Sequence, residues 1–156
     1  MQTFLNVGVD VAKDVVVVAC AAHSFPVHSV PNQRAPLPAW LKSLPAGSRI
    51  GMEFTGAYHE LLADLAPAEG HTVFLLNPLV TRHYAKAMGT RAKTDRVDAE
   101  LIARLIAHEQ SRLRAYTLPT ANQRKLDRLI RRRATIVRLK GTLKLTMCHL
   151  GGFAAE

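Results

Sequence analysis

The sequence predicts an α/β fold in which helices cover a mixed five-stranded sheet and one long basic helix follows. Three observations lead to this expectation. Short runs rich in valine and other apolar residues open the chain at a spacing that fits a hairpin meander. Later apolar runs are separated by segments of helical periodicity, which is the pattern of βαβ crossovers. A basic segment with apolar residues at every seventh position comes last.

The first half of the chain supplies four predicted strands and two predicted helices. Alternating valines predict a strand over residues 4–10, and the nearly continuous apolar run 15–22 predicts a buried strand. The pair Lys13-Asp14 between them predicts a turn. We then expect a strand at 26–30, a short helix at 38–44, a strand at 49–54 and a helix at 58–66.

The second half continues the alternation and then changes character. We expect a strand at 71–76, a helix from Asn77-Pro78 to about residue 88, and a further helix that begins at Asp95 after a basic loop. Leu118-Pro119 interrupts the chain, and Thr120 with Gln123 has the form of a capping box. A long helix should run from there to about residue 150. The sequence thus predicts a sheet-bearing domain over residues 1–117 and a basic helical arm over residues 118–150.

Charge is concentrated in the predicted arm. The 156-residue chain has a formal net charge of +9, yet residues 1–118 carry 12 Lys and Arg against 10 Asp and Glu. Residues 119–150 carry nine cationic side chains, and Asp127 is the single acid among them. A solvated surface helix normally mixes charges of both signs, so this excess favours contact with a nucleic acid. The nine cations are Arg124, Lys125, Arg128, Arg131, Arg132, Arg133, Arg138, Lys140 and Lys144.

Composition excludes several other classes of protein. The longest apolar run is much shorter than the roughly 20 residues that a membrane span needs, and nothing resembles a signal peptide. Cys20 and Cys148 lie far apart, and neither has a second ligand nearby at zinc spacing. We expect a reduced intracellular setting in which both cysteines are ordinary buried residues.

Two acids mark the start of the predicted fourth main helix. We expect Asp95 to be the N-cap and Asp98 to follow in the first turn. Helical geometry places both on the face that carries Leu101, Ile102 and other apolar residues. A capping box beside the positive end of the helix dipole is one interpretation. A bound cation is the other, because two neighbouring carboxylates directed at a core repel each other unless a cation lies between them.

Two further acids occur at predicted strand ends. Asp10 ends the first strand, and Glu53 lies near the end of the fourth. If these strands are parallel neighbours, both carboxylates emerge at one edge of the sheet, beside the Asp95 helix. Singly, each acid could be a turn residue or a solvated one; together with Asp95 and Asp98 they indicate a cation site. Carboxylate oxygens suit Mg²⁺ or Mn²⁺, and two such ions about 4 Å apart can assist phosphodiester displacement.

Basic residues close to the Asp95 segment are candidates for contact with phosphates near that site. They are Arg82, His83, Lys86, Arg91, Lys93 and Arg96. Cations here would also offset part of the acidic charge.

Four segments, in order along the chain, resemble the amino-terminal domain of the DEDD transposases of insertion sequences, a family to which the pilin-inverting recombinase Piv is related. They are Val7-Gly8-Val9-Asp10-Val11-Ala12-Lys13, Met52-Glu53-Phe54-Thr55-Gly56-Ala57-Tyr58, Asn77-Pro78 and Lys93-Thr94-Asp95-Arg96-Val97-Asp98-Ala99. The resemblance implies a RuvC-like, ribonuclease-H-type fold. It also implies that Asp10, Glu53, Asp95 and Asp98 form the DEDD tetrad, which would act with divalent metal in cutting and joining DNA during transposition.

The resemblance implies more about the surroundings of such a domain. Members usually continue into a carboxy-terminal domain that carries a serine implicated in catalysis, so we expect this chain to be a fragment or a truncated copy. The expected partner is DNA, namely the transposon ends and the target, in the cytoplasm of a prokaryotic cell. Some members work with a structured RNA that the element encodes, which makes RNA a candidate partner of the basic helix. Pairing of two chains through that helix is also expected.

Two alternatives compete with the transposase interpretation. The first is a non-catalytic nucleic-acid-binding module with the same fold, whose acids are structural. The second is a phosphotransferase of the actin/hexokinase type, because Gly8-Val9-Asp10 precedes a hairpin. The phosphate loop of that class requires a glycine and a hydroxyl residue after the aspartate, where this chain has Val11-Ala12.

Overall fold

One mixed sheet and five α-helices make up the computed structural model, which describes residues 4–21, 26–54, 56–90 and 94–151. The strands are β1 (Asn6–Val11), β2 (Val15–Cys20), β3 (His28–Pro31), β4 (Arg49–Glu53) and β5 (Thr72–Leu76). The helices are α1 (Pro36–Ser43), α2 (Glu60–Ala68), α3 (Pro78–Ala87), α4 (Asp95–Glu109) and α5 (Ala121–Gly151), with a 3-10 turn at Gln110–Arg112.

The strand order is β3-β2-β1-β4-β5. β1, β2 and β3 form an antiparallel meander, whereas β4 pairs parallel with β1 on one side and with β5 on the other. A parallel neighbour requires a crossover, and α1 and α2 supply the two connections. The predicted α/β class, the meander and the parallel pairing of the first and fourth strands are therefore confirmed.

Some predicted boundaries were wrong by one or two residues. β1 begins at Asn6 rather than at residue 4, and β3 lies over His28–Pro31 rather than 26–30. α2 begins at Glu60 rather than at Tyr58, because residues 56–59 form a turn in which Gly56 has a φ of 58°.

Apolar side chains cover both faces of the sheet. On one face, Val7 and Val9 of β1 pack in a buried cluster with residues of α1 and α2, among them Leu41 and Leu62. On the other face, a second cluster joins β5 to α4. Its buried members are Phe74, Leu76, Ile102, Leu105 and Ile106. The central strands are thus enclosed between helices, as parallel strands usually are.

Two glycines allow α4 to lie directly on the sheet. Gly8 of β1 pairs with Gly51 of β4, and both belong to the face that α4 covers. A Cβ atom on Gly8 would lie 2.0 Å from the carbonyl oxygen of Ala99 and 2.4 Å from the backbone nitrogen of Ala103. A Cβ on Gly51 would lie 2.7 Å from a methyl group of Ile106. Only glycine permits this close approach between helix and strands.

The chain divides into two units, Met1–Thr117 and Leu118–Glu156. The second unit contains α5, which opens with the predicted capping box: the Thr120 amide donates to Gln123 Oε1 at 2.8 Å, and the Gln123 amide donates to Thr120 Oγ1 at 3.3 Å. None of the helices in the described part of the chain combines the length and hydropathy that crossing a bilayer requires.

The expectation that both cysteines are buried was correct for Cys20 and wrong for Cys148. Cys20 is buried at the end of β2, and burial raises the pKa of its thiol. Cys148 is exposed, because it lies on α5, where nearly every described side chain of the unit is exposed.

Candidate functional site

Asp10 and Glu53 occupy matching places on the two central parallel strands. The register of these strands pairs Val9 with Met52, and each acid is the next residue along its strand. Both carboxylates are half-buried. Because alternate residues of a strand share a face, Asp10 lies on the same face as Gly8, and Glu53 on the same face as Gly51. That face is the one on which α4 packs.

The first turn of α4 contributes the other two predicted acids, but Asp95 is not its N-cap. Thr94 is the N-cap, and its Oγ1 accepts a hydrogen bond from the Val97 amide at 3.2 Å. Asp95 is consequently the first helical residue and is exposed, whereas Asp98 is half-buried. The capping-box interpretation of Asp95 and Asp98 was therefore wrong, and so was the expectation that Asp95 is directed at the core.

One cleft of about 550 Å³ brings the four acids together. Its lining includes all of the predicted carboxylates, namely Asp10, Glu53, Asp95 and Asp98. The remaining wall is formed by α3, by Thr90 and by the apolar side chains of Leu101 and Ile102. Acids that are distant in the sequence therefore line the same cleft.

Glu53 has a hydrogen-bond donor on α3. Thr81 is 2% exposed, and its hydroxyl donates to Glu53 Oε1. Asn77 fixes the start of that helix, because its side chain accepts a hydrogen bond from the Leu79 amide at 2.9 Å. Sequence reasoning missed Thr81: the two residues are 28 positions apart, and nothing in the local pattern links them.

Besides its contact with Glu53 of β4, α3 also contacts α4 through residues that do not line the cleft. The Tyr84 hydroxyl lies 3.0 Å from His108 Nδ1. Burial and, secondarily, the negative charge of Glu109 raise the pKa of Tyr84, and Arg104 opposes this effect. Tyr84 also packs against the apolar cluster between β5 and α4. The contact therefore links two helices that both contribute residues to the cleft.

The donor set of the cleft fits a hard divalent cation in its chemistry, because four carboxylates supply only oxygen ligands. The side chains as positioned do not form a complete ligand set: among the described residues, no three His, Cys, Asp or Glu side chains are grouped so that they could hold a metal ion. Like charges at one edge repel each other, and a cation would be needed to draw them together.

The residues predicted to contact phosphates near the acids do not all lie at the cleft. Arg82 lines the cleft and is exposed, and Lys86 is exposed one turn further along α3. Arg96 donates to Glu100 at 3.1 Å and lines a separate small pocket beside Cys20. The predictions for Arg91 and Lys93 fall outside the described residues. Of the predicted cations that the structure describes, Arg82 is therefore the one that lines the cleft with the acids.

The basic residues predicted on the arm all lie on α5. Every one of them is exposed except Arg124, which is half-buried. They are Arg124, Lys125, Arg128, Arg131, Arg132, Arg133, Arg138, Lys140 and Lys144. Apolar side chains are exposed on the same helix, including Ile136, Leu143 and Met147. Within its own unit, α5 therefore presents both cationic and apolar surface.

The family follows from a comparison of the sequence with known proteins. Residues 7–150 match the model of the transposase family of the IS110 DEDD type. The chain belongs to this family. The resemblance drawn from the four sequence segments is therefore confirmed.

Two relatives are similar over part of the chain. The pilin gene-inverting proteins of Moraxella lacunata and Moraxella bovis are 43% and 42% identical to it over 82 residues, which is 53% of this chain. The chain spans about a quarter of the length of these relatives, since the match covers 25% of each.

A solved structure is similar to the fold. It is T. thermophilus RuvC in complex with a Holliday junction substrate, with a TM-score of 0.52 and 11% sequence identity. The match covers 73% of this chain and 100% of the RuvC chain. The predicted RuvC-like, ribonuclease-H-type fold is therefore confirmed for the DEDD transposase chain.

Proposed function

We propose that this chain is the metal-binding part of a DEDD transposase or recombinase that cuts and joins DNA by phosphoryl transfer assisted by divalent cations. One observation carries the proposal. In a member of a transposase family, four carboxylates from β1, β4 and α4 line a single cleft. The names of the pilin gene-inverting relatives describe rearrangement of DNA, which agrees with this reaction.

In the proposed mechanism, Asp10, Glu53, Asp95 and Asp98 hold one or two Mg²⁺ or Mn²⁺ ions. A bound ion supplies charge stabilisation to the attacking and leaving oxygens of a phosphodiester. β1 and β4 fix two of the ligands at adjacent strand ends, and the first turn of α4 brings the others. The carboxylates serve as ligands and not as proton carriers.

Two neighbours of the acids have supporting roles in this proposal. Arg82 lines the same cleft and offers a guanidinium group to a phosphate that enters it. Leu101 and Ile102 form an apolar wall, which limits water on that side and strengthens electrostatic interactions within the cleft.

We assign the contact with nucleic acid outside the cleft to α5. Cations outnumber acids nine to one over residues 119–150, and the cationic side chains of the helix are almost all exposed. Such a surface binds phosphate backbones without regard to sequence. DNA is the proposed partner, and a structured RNA is the competing ligand in the test. The exposed apolar residues of α5 are the proposed contact between two copies of the chain.

Calorimetric titration of the chain with Mn²⁺ and Mg²⁺ tests the metal site. A cation that binds only the folded state stabilises it by about 2.7 kcal/mol at 100 times its Kd. We expect wild type to bind and to gain thermal stability, and Asp10→Asn to lose most of both effects. Asp14→Asn is the matched control, since it makes the same chemical change at an exposed hairpin residue four positions away. It should behave as wild type.

The competing function is a nucleic-acid-binding module whose acids are structural. One observation favours it, namely that no three ligating side chains are grouped for a metal within the described part of the chain. Under that function, Mn²⁺ would change the melting temperature of neither wild type nor Asp10→Asn, and both proteins would bind DNA. The absence of a Mn²⁺-induced shift in wild type as in Asp10→Asn would therefore reject the metal-dependent reaction.

A further inference from the structure

We propose that Thr81 is a positioning residue that orients the Glu53 carboxylate for a divalent cation. This inference rests on the proposed function, because it assigns a role to a residue beside one of the proposed ligands. Thr81 belongs to none of the acidic or basic sets that the sequence indicated. It acts through Glu53 and is not itself a proposed ligand.

The environment of Thr81 suits this role. The residue is 2% exposed and lies in the first turns of α3, facing the cleft. Its hydroxyl reaches Glu53 Oε1, which belongs to the end of β4. The contact therefore ties a helix to the strand end that carries the carboxylate. Because the hydroxyl engages Oε1, the cation would bind through Oε2.

The hydroxyl has two acceptors and only one proton. Thr81 Oγ1 lies 3.1 Å from the Pro78 carbonyl oxygen as well as in contact with Glu53. An ionised carboxylate is the stronger acceptor, because a charged partner makes a hydrogen bond about twice as strong as a neutral one. The Thr81 hydroxyl therefore donates its hydrogen bond to Glu53 Oε1 rather than to the Pro78 carbonyl. If a cation draws charge away from Glu53, the hydroxyl can turn to Pro78 and is not left unsatisfied in a buried place.

A purely structural role for Thr81 makes a different prediction. Buried helical threonines commonly satisfy their hydroxyl on a carbonyl one turn back, and Pro78 provides that acceptor. If this bond were the reason for the threonine, removing the hydroxyl would change stability and leave metal affinity alone. If Thr81 orients Glu53, removing the hydroxyl weakens metal binding even where the fold is intact.

Three variants separate these roles. Thr81→Val keeps the shape and removes the hydroxyl, Thr81→Ser keeps the hydroxyl, and Glu53→Gln removes the charge that the hydroxyl contacts. Mn²⁺ affinity is measured by calorimetry and by the electron paramagnetic resonance of free Mn²⁺, and the metal-free melting temperature is recorded for each. Loss of a hydrogen-bond partner behind a metal ligand typically lowers metal affinity by about 10–100-fold. We expect a loss of that size for Thr81→Val and near wild-type affinity for Thr81→Ser.

The double variant provides the decisive comparison. With Glu53→Gln already present, Thr81→Val should cause little further loss of Mn²⁺ affinity, because the hydrogen bond through which it acts is already weakened. An undiminished loss in that background would overturn the inference, as would Thr81→Val binding Mn²⁺ as tightly as wild type. If Thr81→Val does not fold, Thr81→Ala replaces it in the same cycle. Absence of Mn²⁺ binding by wild type would instead refute the proposed function, and the role of Thr81 with it.

Discussion

Replacing Gly8 by alanine tests whether the close approach of α4 to the sheet determines the stability of the fold. The added Cβ would lie 2.0 Å from the Ala99 carbonyl oxygen and 2.4 Å from the Ala103 nitrogen. Both are backbone atoms of α4, so no side-chain rotation relieves the clash. The helix as a whole must move away from β1.

The size of the effect follows from these distances. Carbon and oxygen atoms in favourable contact are about 3.5 Å apart, so the Ala99 carbonyl must retreat by roughly 1.5 Å. Overpacking of a core typically costs about 1–3 kcal/mol and occasionally more. We expect Gly8→Ala to lower the free energy of unfolding by about 3 kcal/mol, at the upper end of this range, because the opposing atoms are fixed in a helix. Gly51→Ala should cost less, since it meets the movable side chains of Ile102 and Ile106.

Urea denaturation followed by circular dichroism measures the two losses. Gly141→Ala is the control: it lies within α5, and a Cβ there would meet nothing within 4 Å. Alanine at a helix interior is favoured over glycine by roughly 0.5–1 kcal/mol, so this variant should not be destabilised. Gly8→Ala with wild-type stability would refute the reasoning, because it would mean that α4 does not lie against β1 as closely as described. A displaced α4 should also weaken Mn²⁺ binding.

Three further predictions concern other parts of the chain. Replacing the arginines at 131–133 by glutamine should weaken binding to DNA and reduce the slope of log K against log salt by about 0.7–0.9 for each phosphate that the helix no longer neutralises, as measured in a salt titration. An unchanged slope would show that these residues do not meet the backbone. Thr94→Ala should destabilise the chain by about 1 kcal/mol in urea denaturation, because the Val97 amide loses its cap, while Thr94→Ser should not. Alkylation of the folded protein near pH 8 should modify Cys148 before Cys20, since burial raises the pKa of the Cys20 thiol and limits access to it. The Cys20 thiol keeps its proton to a higher pH in the folded state than in the unfolded state. The free energy of unfolding should therefore fall as the pH rises from the unfolded-state pKa of Cys20 to its folded-state pKa. Equal labelling of both cysteines by mass spectrometry would contradict this order.

The sheet could be predicted because its signals are local. Valine-rich runs around the Lys13-Asp14 turn indicate an antiparallel hairpin, and a helix between two apolar runs indicates a parallel crossover. These rules place β1 beside β4 and so bring Asp10 and Glu53 to the same edge. The prediction that α4 lies near that edge relied on its two acids and on the order of elements.

The N-cap of α4 could not be predicted from local signals. Threonine and aspartate are both favourable N-cap residues, and they are adjacent here as Thr94 and Asp95. A difference of one residue decides whether Asp95 caps the helix or is its first helical residue, exposed at the mouth of the cleft. The role of Thr81 was out of reach for another reason, since its contact with Glu53 depends on how α3 packs beside β4. The glycines gave an overlooked signal, because an isolated glycine in a strand often marks a close backbone approach.

The packing of the core and the arrangement of the acids depend on the same residues. In each central strand a glycine precedes the acid by two positions, as in Gly8 before Asp10 and Gly51 before Glu53. Since alternate residues share a face, each glycine allows α4 to approach the strand just before its acid. A larger side chain at Gly8, which meets the backbone of α4, would displace the helix and carry its acidic first turn away from the strand ends. The close approach that makes Gly8 intolerant of substitution is therefore also what allows Asp95 and Asp98 to share a cleft with Asp10 and Glu53.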